Sequence, residues 1–194
     1  MQRRLVIIIF GLLPCLTAFG APRHFAIDGA AGSQLAQFDS HAPLESFVGR
    51  TAEVTGTITA DPDNLTQNPQ AAFDVQLTGL KTGNRLRDKH MREEFLETDN
   101  YPVATFRLTR IVSVDKKNVR PGDAVKMEVL GRLKIHGVEK EIPAEIAADY
   151  SGDAVKLSAH FSIQLADFNI ERPQFLMMKL DETIRVTLEA VGKS

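Results

Sequence analysis

Val125-Lys126-Met127-Glu128-Val129-Leu130-Gly131-Arg132-Leu133-Lys134-Ile135-His136 places Val125, Met127, Val129, Gly131, Leu133 and Ile135 on one parity and mostly charged residues on the other. A period of two sends alternate side chains to opposite faces of an extended chain, so this stretch reads as a long strand with one wet face. Gly137 in the short link from His136 to Glu139 reads as a hairpin turn. Beyond it, Ile142, Ala144, Ile146 and Ala148 oppose Glu141, Glu145 and Asp149. Ser151-Gly152-Asp153 then separates that strand from Val155, Leu157, Ala159, Phe161 and Ile163, which oppose Lys156, Ser158, His160 and Ser162. Ile184, Val186, Leu188 and Ala190 repeat the pattern against Thr183, Arg185, Thr187 and Glu189.

Upstream, Ala104, Phe106 and Leu108 oppose Thr105, Arg107 and Thr109, and Ala71, Phe73, Val75 and Leu77 oppose Ala72, Asp74, Gln76 and Thr78. From Thr51 to Ala60 the threonines and Glu53 form the polar set, while Ala52, Val54, Gly56, Ile58 and Ala60 form the other. A less regular strand around Gln34 to His41 brings the number to about eight. Breaks fall at Asp61-Pro62-Asp63-Asn64 and Pro121-Gly122-Asp123. Only Asn84 to Thr98 has helical spacing, with Leu86, His90 and Glu94 on one face and Met91 and Phe95 on another.

Consecutive strands with short links and one wet face each bury their apolar sides by packing as two sheets or by closing one sheet on itself. Closure also removes exposed edges. The expected fold is therefore all-β, an antiparallel β-barrel of about eight strands with one short helical insertion; a sandwich is the alternative. The inward parity is rich in small residues, including Ala52, Gly56, Ala60, Ala71, Gly131, Ala144, Ala148 and Ala159, and the chain has no Trp. Small inward residues favour a hollow over a filled interior, although Gly56 and Gly131 also fit strand bends or bulges. A lumen lined by Val54, Ile58, Phe73, Val75, Leu77, Phe106, Met127, Val129, Leu133, Leu157 and Phe161 offers almost no polar side chain, so its guest must be chiefly hydrocarbon.

Met1 to Gly20 carries Arg3 and Arg4, an uncharged apolar run from Leu5 to Leu16, and small residues at Ala18, Gly20 and Ala21. That layout is a secretory signal peptide, cleaved after Gly20, and its apolar run is shorter than the roughly 18 to 20 residues needed to span a bilayer. Leu12-Leu13-Pro14-Cys15 raises a lipoprotein alternative, but Pro14 stands where a small residue is wanted. The expected organisation is thus residues 1–20 as signal and 21–194 as one periplasmic domain. Cys15 is the chain's one cysteine, so the mature protein would hold no disulfide and no thiolate site. The net charge of −2 becomes about −4 once Arg3 and Arg4 leave, a poor balance for binding nucleic acid or anionic headgroups.

The segment Leu80-Lys81-Thr82-Gly83-Asn84-Arg85-Leu86-Arg87-Asp88-Lys89-His90-Met91-Arg92-Glu93-Glu94-Phe95-Leu96-Glu97-Thr98, with Tyr101-Pro102 and Phe106, resembles the signature of the YceI family. Phe38-Asp39-Ser40-His41-Ala42-Pro43-Leu44-Glu45 with Gly49, and Gly131-Arg132-Leu133-Lys134-Ile135-His136-Gly137-Val138, agree with it. The resemblance runs from about Phe25 to Ala190. It implies a lipocalin-like barrel, commonly periplasmic, that binds a long isoprenoid or related amphiphilic lipid in an apolar tunnel. Gln37 and Asp39 depart from the family's commoner apolar pattern, so polyisoprenoid, isoprenoid quinone and fatty amide ligands all stay open.

Arg87, Asp88, His90 and Met91 on the helical insertion are candidates for the barrel mouth; the blander roles are a structural Asp88 pin and an apolar underside made by Met91, Phe95 and Leu96. His24, His41, His90, His136 and His160 form no metal-binding spacing, so no metal site is expected. No Gly-x-Ser-x-Gly elbow and no glycine-rich phosphate loop occur, so no catalytic residue is expected and an enzyme is not. The sequence thus points to a carrier of an apolar lipid that needs no cofactor. The alternative is a filled barrel acting through its rim as an interaction or stress-response protein. Transient contact with a membrane or a membrane redox protein, and pairing of two barrels, are compatible with either.

Overall fold

The computed structural model describes residues 21–29, 34–42, 45–175 and 178–194. The expected signal peptide, with Cys15, lies outside them. Among the described residues twelve strands run in chain order: β1 Arg23–Ile27, β2 Leu35–Ala42, β3 Glu45–Thr51, β4 Val54–Ala60, β5 Gln70–Gln76, β6 Val103–Val114, β7 Ala124–Ile135, β8 Val138–Tyr150, β9 Ala154–Gln164, β10 Gln174–Phe175, β11 Met178–Lys179 and β12 Thr183–Lys193. Every named pairing is antiparallel.

The wall closes as a barrel of eight strand positions. β4 to β9 pair in sequence order, β9 pairs with β12, and β12 turns its other edge to β2 over Arg185–Glu189 and to β1 at Lys193. β1 and β2 therefore occupy one position end to end. β3 and β4 do the same, because β3 pairs with β2 while β4 pairs with β1 and β5. The buried Gln34 side chain bridges the first break, its amide donating to the Asp28 carbonyl at 2.8 Å.

The second break corrects the sequence expectation of one strand from Thr51 to Ala60. Thr51 Oγ1 accepts from the Glu53 amide at 3.1 Å and Val54 N–H turns back to the Ala52 carbonyl at 2.9 Å, which kinks the chain for two residues. The kink shifts the parity, so Thr51, expected outside, is buried opposite Ala36, and Ala52, expected inside, is exposed. β1 was not distinguishable as a strand in the sequence, since Phe25 and Ile27 supply only one repeat of the alternation.

The β7–β8 link has two residues, His136 at φ 52° and Gly137 at φ 77°. Positive φ at both central positions fits the right-handed twist of the flanking strands, and glycine meets it without strain. The β8–β9 turn places Gly152 at φ 95° and closes with a 2.9 Å bond from Ser151 N–H to the Ala154 carbonyl.

Gly131 has a second requirement. An added Cβ there would lie 2.0 Å from Phe106 Cζ, because the outer end of the Phe106 ring covers this glycine from the neighbouring strand. The space that Gly131 leaves is thus filled by Phe106 and is not part of the hollow. Gly49 takes the Phe38 ring in the same way.

The helical insertion is α1, Arg85–His90, capped by the Asn84 carboxamide, which accepts from the amides of Leu86 and Arg87. It runs on into one wider π turn over Met91–Phe95. The helix is anchored by Asp88, 8% exposed, whose carboxylate accepts from the Thr82 amide at 2.7 Å and the Thr82 hydroxyl at 2.6 Å. Arg87 Nε also donates to that hydroxyl, at 2.8 Å, and Arg92 donates to the Leu80 carbonyl. Burial alone would raise the Asp88 pKa, but the Thr82 bonds with the nearby Arg92 and Arg87 charges outweigh it and hold the carboxyl below its usual value. No helix among the described residues is long and apolar enough to cross a membrane.

Two outcomes test these contacts. Gly131→Val costs about 1–3 kcal/mol by overpacking against Phe106, read as a lower urea midpoint, and combining it with Phe106→Leu loses less than the sum of the two single changes. Asp88→Ala costs about 1–3 kcal/mol at neutral pH through its orphaned Thr82 donors. A carboxylate with a depressed folded pKa contributes stability that is intact above its unfolded pKa and is lost as pH falls through the folded value. The difference between wild type and Asp88→Ala therefore shrinks below about pH 4, as a series of urea melts against pH measures.

Candidate functional site

Parity places the site. Each wall strand turns one set of side chains to solvent and the other into the barrel, and the inward set leaves a cavity of about 900 Å³. Pockets that hold small organic ligands run from about 300 to 1,000 Å³, so this one lies near the upper end. Its lining draws on nearly every strand of the wall and is overwhelmingly aliphatic and aromatic. Ala60, Ala71, Ala144, Ala148 and Ala159 all face it, so the small inward residues do supply the space, with Ala52, Gly56 and Gly131 as exceptions.

Ten of the eleven side chains expected to line the lumen do so: Ile58, Phe73, Val75, Leu77, Phe106, Met127, Val129, Leu133, Leu157 and Phe161. Val54 does not. It is fully buried at the β3–β4 kink, packed in a cluster with Ile27, Ala36 and Phe73, and belongs to the wall's own core.

The two ends of the cavity differ. At one, Phe25, Leu65, Val119, Val125 and Tyr150 pack together, with the Phe25 and Tyr150 rings edge to face at 6.2 Å. The loops there are tied by Leu65 N–H to the Lys117 carbonyl and Val119 N–H to the Pro62 carbonyl. At the other end, Leu77, Leu80 and Ala104 cluster with Met91, Leu96 and Ile135 beneath the helical insertion. Leu86 lines the cavity while 64% exposed, so the hollow reaches the surface beside α1. The wall is also incomplete along one flank: β5 pairs with β6 only as far as Ala72 and Arg107, although β6 runs on to Val114. Ala71 on one side of that gap and Leu108 and Ile111 on the other all line the cavity.

Of the mouth candidates, Arg87, His90 and Met91 line the cavity and Asp88 does not. Asp88 is the pin already described. The Arg87 guanidinium stacks on the Phe47 ring, 4.1 Å from its centroid, and so fastens the helix to β3. His90 lies 3.9 Å from Glu94, which also lines the cavity. His136, beneath the insertion, bridges the Phe168 carbonyl at 3.2 Å and the Glu97 carboxylate at 3.3 Å, with Tyr101 against its ring. It is a brace between the turn after β7 and the end of the insertion. Among the described residues no three His, Cys, Asp or Glu side chains come together in a way that would hold a metal ion.

Sequence reasoning missed several lining residues. Phe25 sits on the unrecognised β1, Phe47 on β3, and Leu65 and Val119 on loops without periodicity. Ser40 on β2 was missed because a serine gives no signal for an apolar lumen; it is 3% exposed, and its hydroxyl has no hydrogen-bond partner among the described residues. Gln37 and Asp39, the residues that depart from the commoner family pattern, bond to one another at 3.2 Å, and Gln37 accepts from Arg50 at 2.8 Å.

Comparison with known proteins places this geometry. BcnA of Burkholderia cenocepacia superposes with a TM-score of 0.72 at 16% identity, over 85% of this chain and 98% of that one. A polyisoprenoid binding domain from Saccharophagus degradans, implicated in plant cell wall breakdown, superposes at 0.67 with 16% identity, over 88% and 98% of the two chains. The YceI protein of Campylobacter jejuni does so at 0.59 with 19% identity, over 75% and 84%. Among curated proteins none matches. These likenesses establish the fold, and the model of the YceI-like domain matches residues 25–191, so the chain belongs to the YceI-like family.

Proposed function

We propose that this protein is a periplasmic carrier that sequesters the tail of a long apolar lipid, such as a polyisoprenoid, an isoprenoid quinone or a fatty amide, inside the barrel. The supporting observation is the apolar cavity of about 900 Å³ reaching the surface beside α1. Transfer of one methylene from water is worth about 0.8 kcal/mol, so each five-carbon isoprene unit contributes a few kcal/mol before ordering costs. Such a site grades guests by length of tail. Charged or sugar-like guests would lose hydration without recovering it along most of this wall.

The signal-like layout of Met1 to Gly20 supports export, and loading or release of a water-insoluble guest implies transient contact with a membrane. Membership of the YceI-like family and the polyisoprenoid-binding domain among its structural neighbours favour binding over catalysis. The second possibility, a barrel acting only through its rim, draws on the partial filling by Phe106 and Phe38.

Native mass spectrometry of protein prepared from its own periplasm separates the two. The carrier predicts a stoichiometric lipid that organic extraction removes. Val75→Trp and Val129→Trp, both directed into the cavity, should abolish that adduct while the far-ultraviolet spectrum stays β-rich. Only apo protein in the wild type, or undiminished lipid in folded tryptophan variants, would reject the carrier.

A further inference from the structure

Ser40 lines the cavity with a buried hydroxyl, unpartnered among the described residues, that the hydrocarbon reading leaves unused. It follows Phe38 on the inward parity of β2 and stands directly opposite Phe47 of β3. Directly opposed residues of an antiparallel pair put their side chains on the same face, so Ser40 has Phe47 beside it and Phe38 two residues away. The two rings meet edge to face at 6.2 Å, and neither offers its neighbour a hydrogen-bond acceptor of carbonyl or carboxylate strength. The Ser40 Oγ is excluded from solvent and unpartnered among the described residues. Buried hydroxyls are almost always hydrogen-bonded, and an orphan in a binding cavity points to a partner that arrives with the ligand.

The surroundings decide what that partner is. The cation across Phe47 is Arg87, which is already engaged with Thr82 and stacked on the Phe47 ring. Ser40 itself is neutral, able both to donate and to accept. The far end of the cavity, around Phe25, Leu65 and Val125, is formed mainly by hydrocarbon, with the Tyr150 phenol among it. A guest with one oxygen near its end meets the unpartnered Ser40 hydroxyl when that end lies toward β2 and α1.

We propose that Ser40 is a hydrogen-bonding anchor for a neutral oxygen function, a hydroxyl or carbonyl, at one end of the lipid. It selects lipid alcohols or ketones over hydrocarbons of equal length and orients them with the oxygen toward the α1 end and the tail toward Phe25 and Tyr150. This rests on the carrier reading, which supplies the tail-binding energy, and adds an identity for the head.

The test compares geranylgeraniol with the hydrocarbon in which hydrogen replaces its hydroxyl, titrated into delipidated full-length mature protein and followed by native mass spectrometry. Wild type should prefer the alcohol roughly 3- to 10-fold, the range a single neutral hydrogen bond supplies. Ser40→Ala should erase that preference and leave hydrocarbon affinity within about twofold, while Ser40→Thr, which keeps a hydroxyl, should retain it. Because the hydroxyl is an orphan without ligand, Ser40→Ala apo protein should melt no lower than wild type. A preference that survives Ser40→Ala, a wild type with no preference, or an apo Ser40→Ala protein of lower Tm would each overturn the anchor while leaving the carrier intact. Binding of neither probe by folded wild type would instead remove the carrier reading, and the anchor with it.

Discussion

β12 holds the barrel together by pairing along both edges, with β9 on one side and with β2 and β1 on the other. Once that seam forms, no inward-facing side chain can reach solvent by a shift of sheet position, and a one-residue slip anywhere would exchange the apolar and polar faces of a whole strand. Closure therefore imposes the alternation that runs through the chain. It also forces the first two strand positions to be assembled from two pieces each, because the wall has to bend there. Gln34 and Thr51, two of the buried polar residues, are found at those bends, where each side chain bonds to backbone that the breaks leave without a ladder partner.

A closed wall does not by itself make a hollow. A barrel of this size can be filled by its own side chains, and this one is filled where Phe106 lies over Gly131 and Phe38 over Gly49. Elsewhere the inward alanines of β4, β5, β8 and β9 are too short to meet across the middle. The rings therefore lie over glycines of the next strand, and the alanines open the centre. The pairing of an aromatic ring with a glycine on the next strand keeps large apolar residues in the wall without spending the volume of the lumen.

How much of this could be read from residues alone follows the same division. Parity over Val125–Ile135, Ile142–Ala148 and Val155–Ile163 is long enough to fix strand and face, and five of the ten lumen side chains, Met127, Val129, Leu133, Leu157 and Phe161, lie in these stretches, with the other five in shorter alternating ones. Thr51 and Ala52 came out on the wrong faces because two residues of kink change the parity without changing the appearance of the alternation, and a hydrogen bond to a threonine hydroxyl leaves no periodic trace; Val54 faces inward as expected but is packed within the wall, off the cavity. Gly131 was legible as small but not as covered, since the ring that covers it comes from the adjacent strand. Ser40 was invisible for a different reason. Its significance lies in a partner it lacks, and a missing bond is a property of the assembled wall.

The helical insertion shows why the two ends of the cavity are not equivalent. Asp88 ties α1 to Thr82, Thr82 also receives Arg87, and Arg87 lies on Phe47 of β3 directly opposite Ser40. These contacts form one continuous chain from the buried carboxylate to the wall of the lumen. A helix held this way is part of the rim. It leaves Leu86 and His90 at the edge of the opening, and any widening of the mouth must either lift Arg87 off its ring or break the Thr82 contacts. The opposite end has no comparable chain: it is shut by apolar packing around Tyr150 and by two backbone bonds between loops. Apolar packing yields to an apolar chain that replaces it at little net cost, whereas a buried carboxylate with two bonds does not. The molecule is thus built with a fixed polar rim at one end and a compliant greasy floor at the other, the asymmetry that a tail of variable length attached to one invariant head would require.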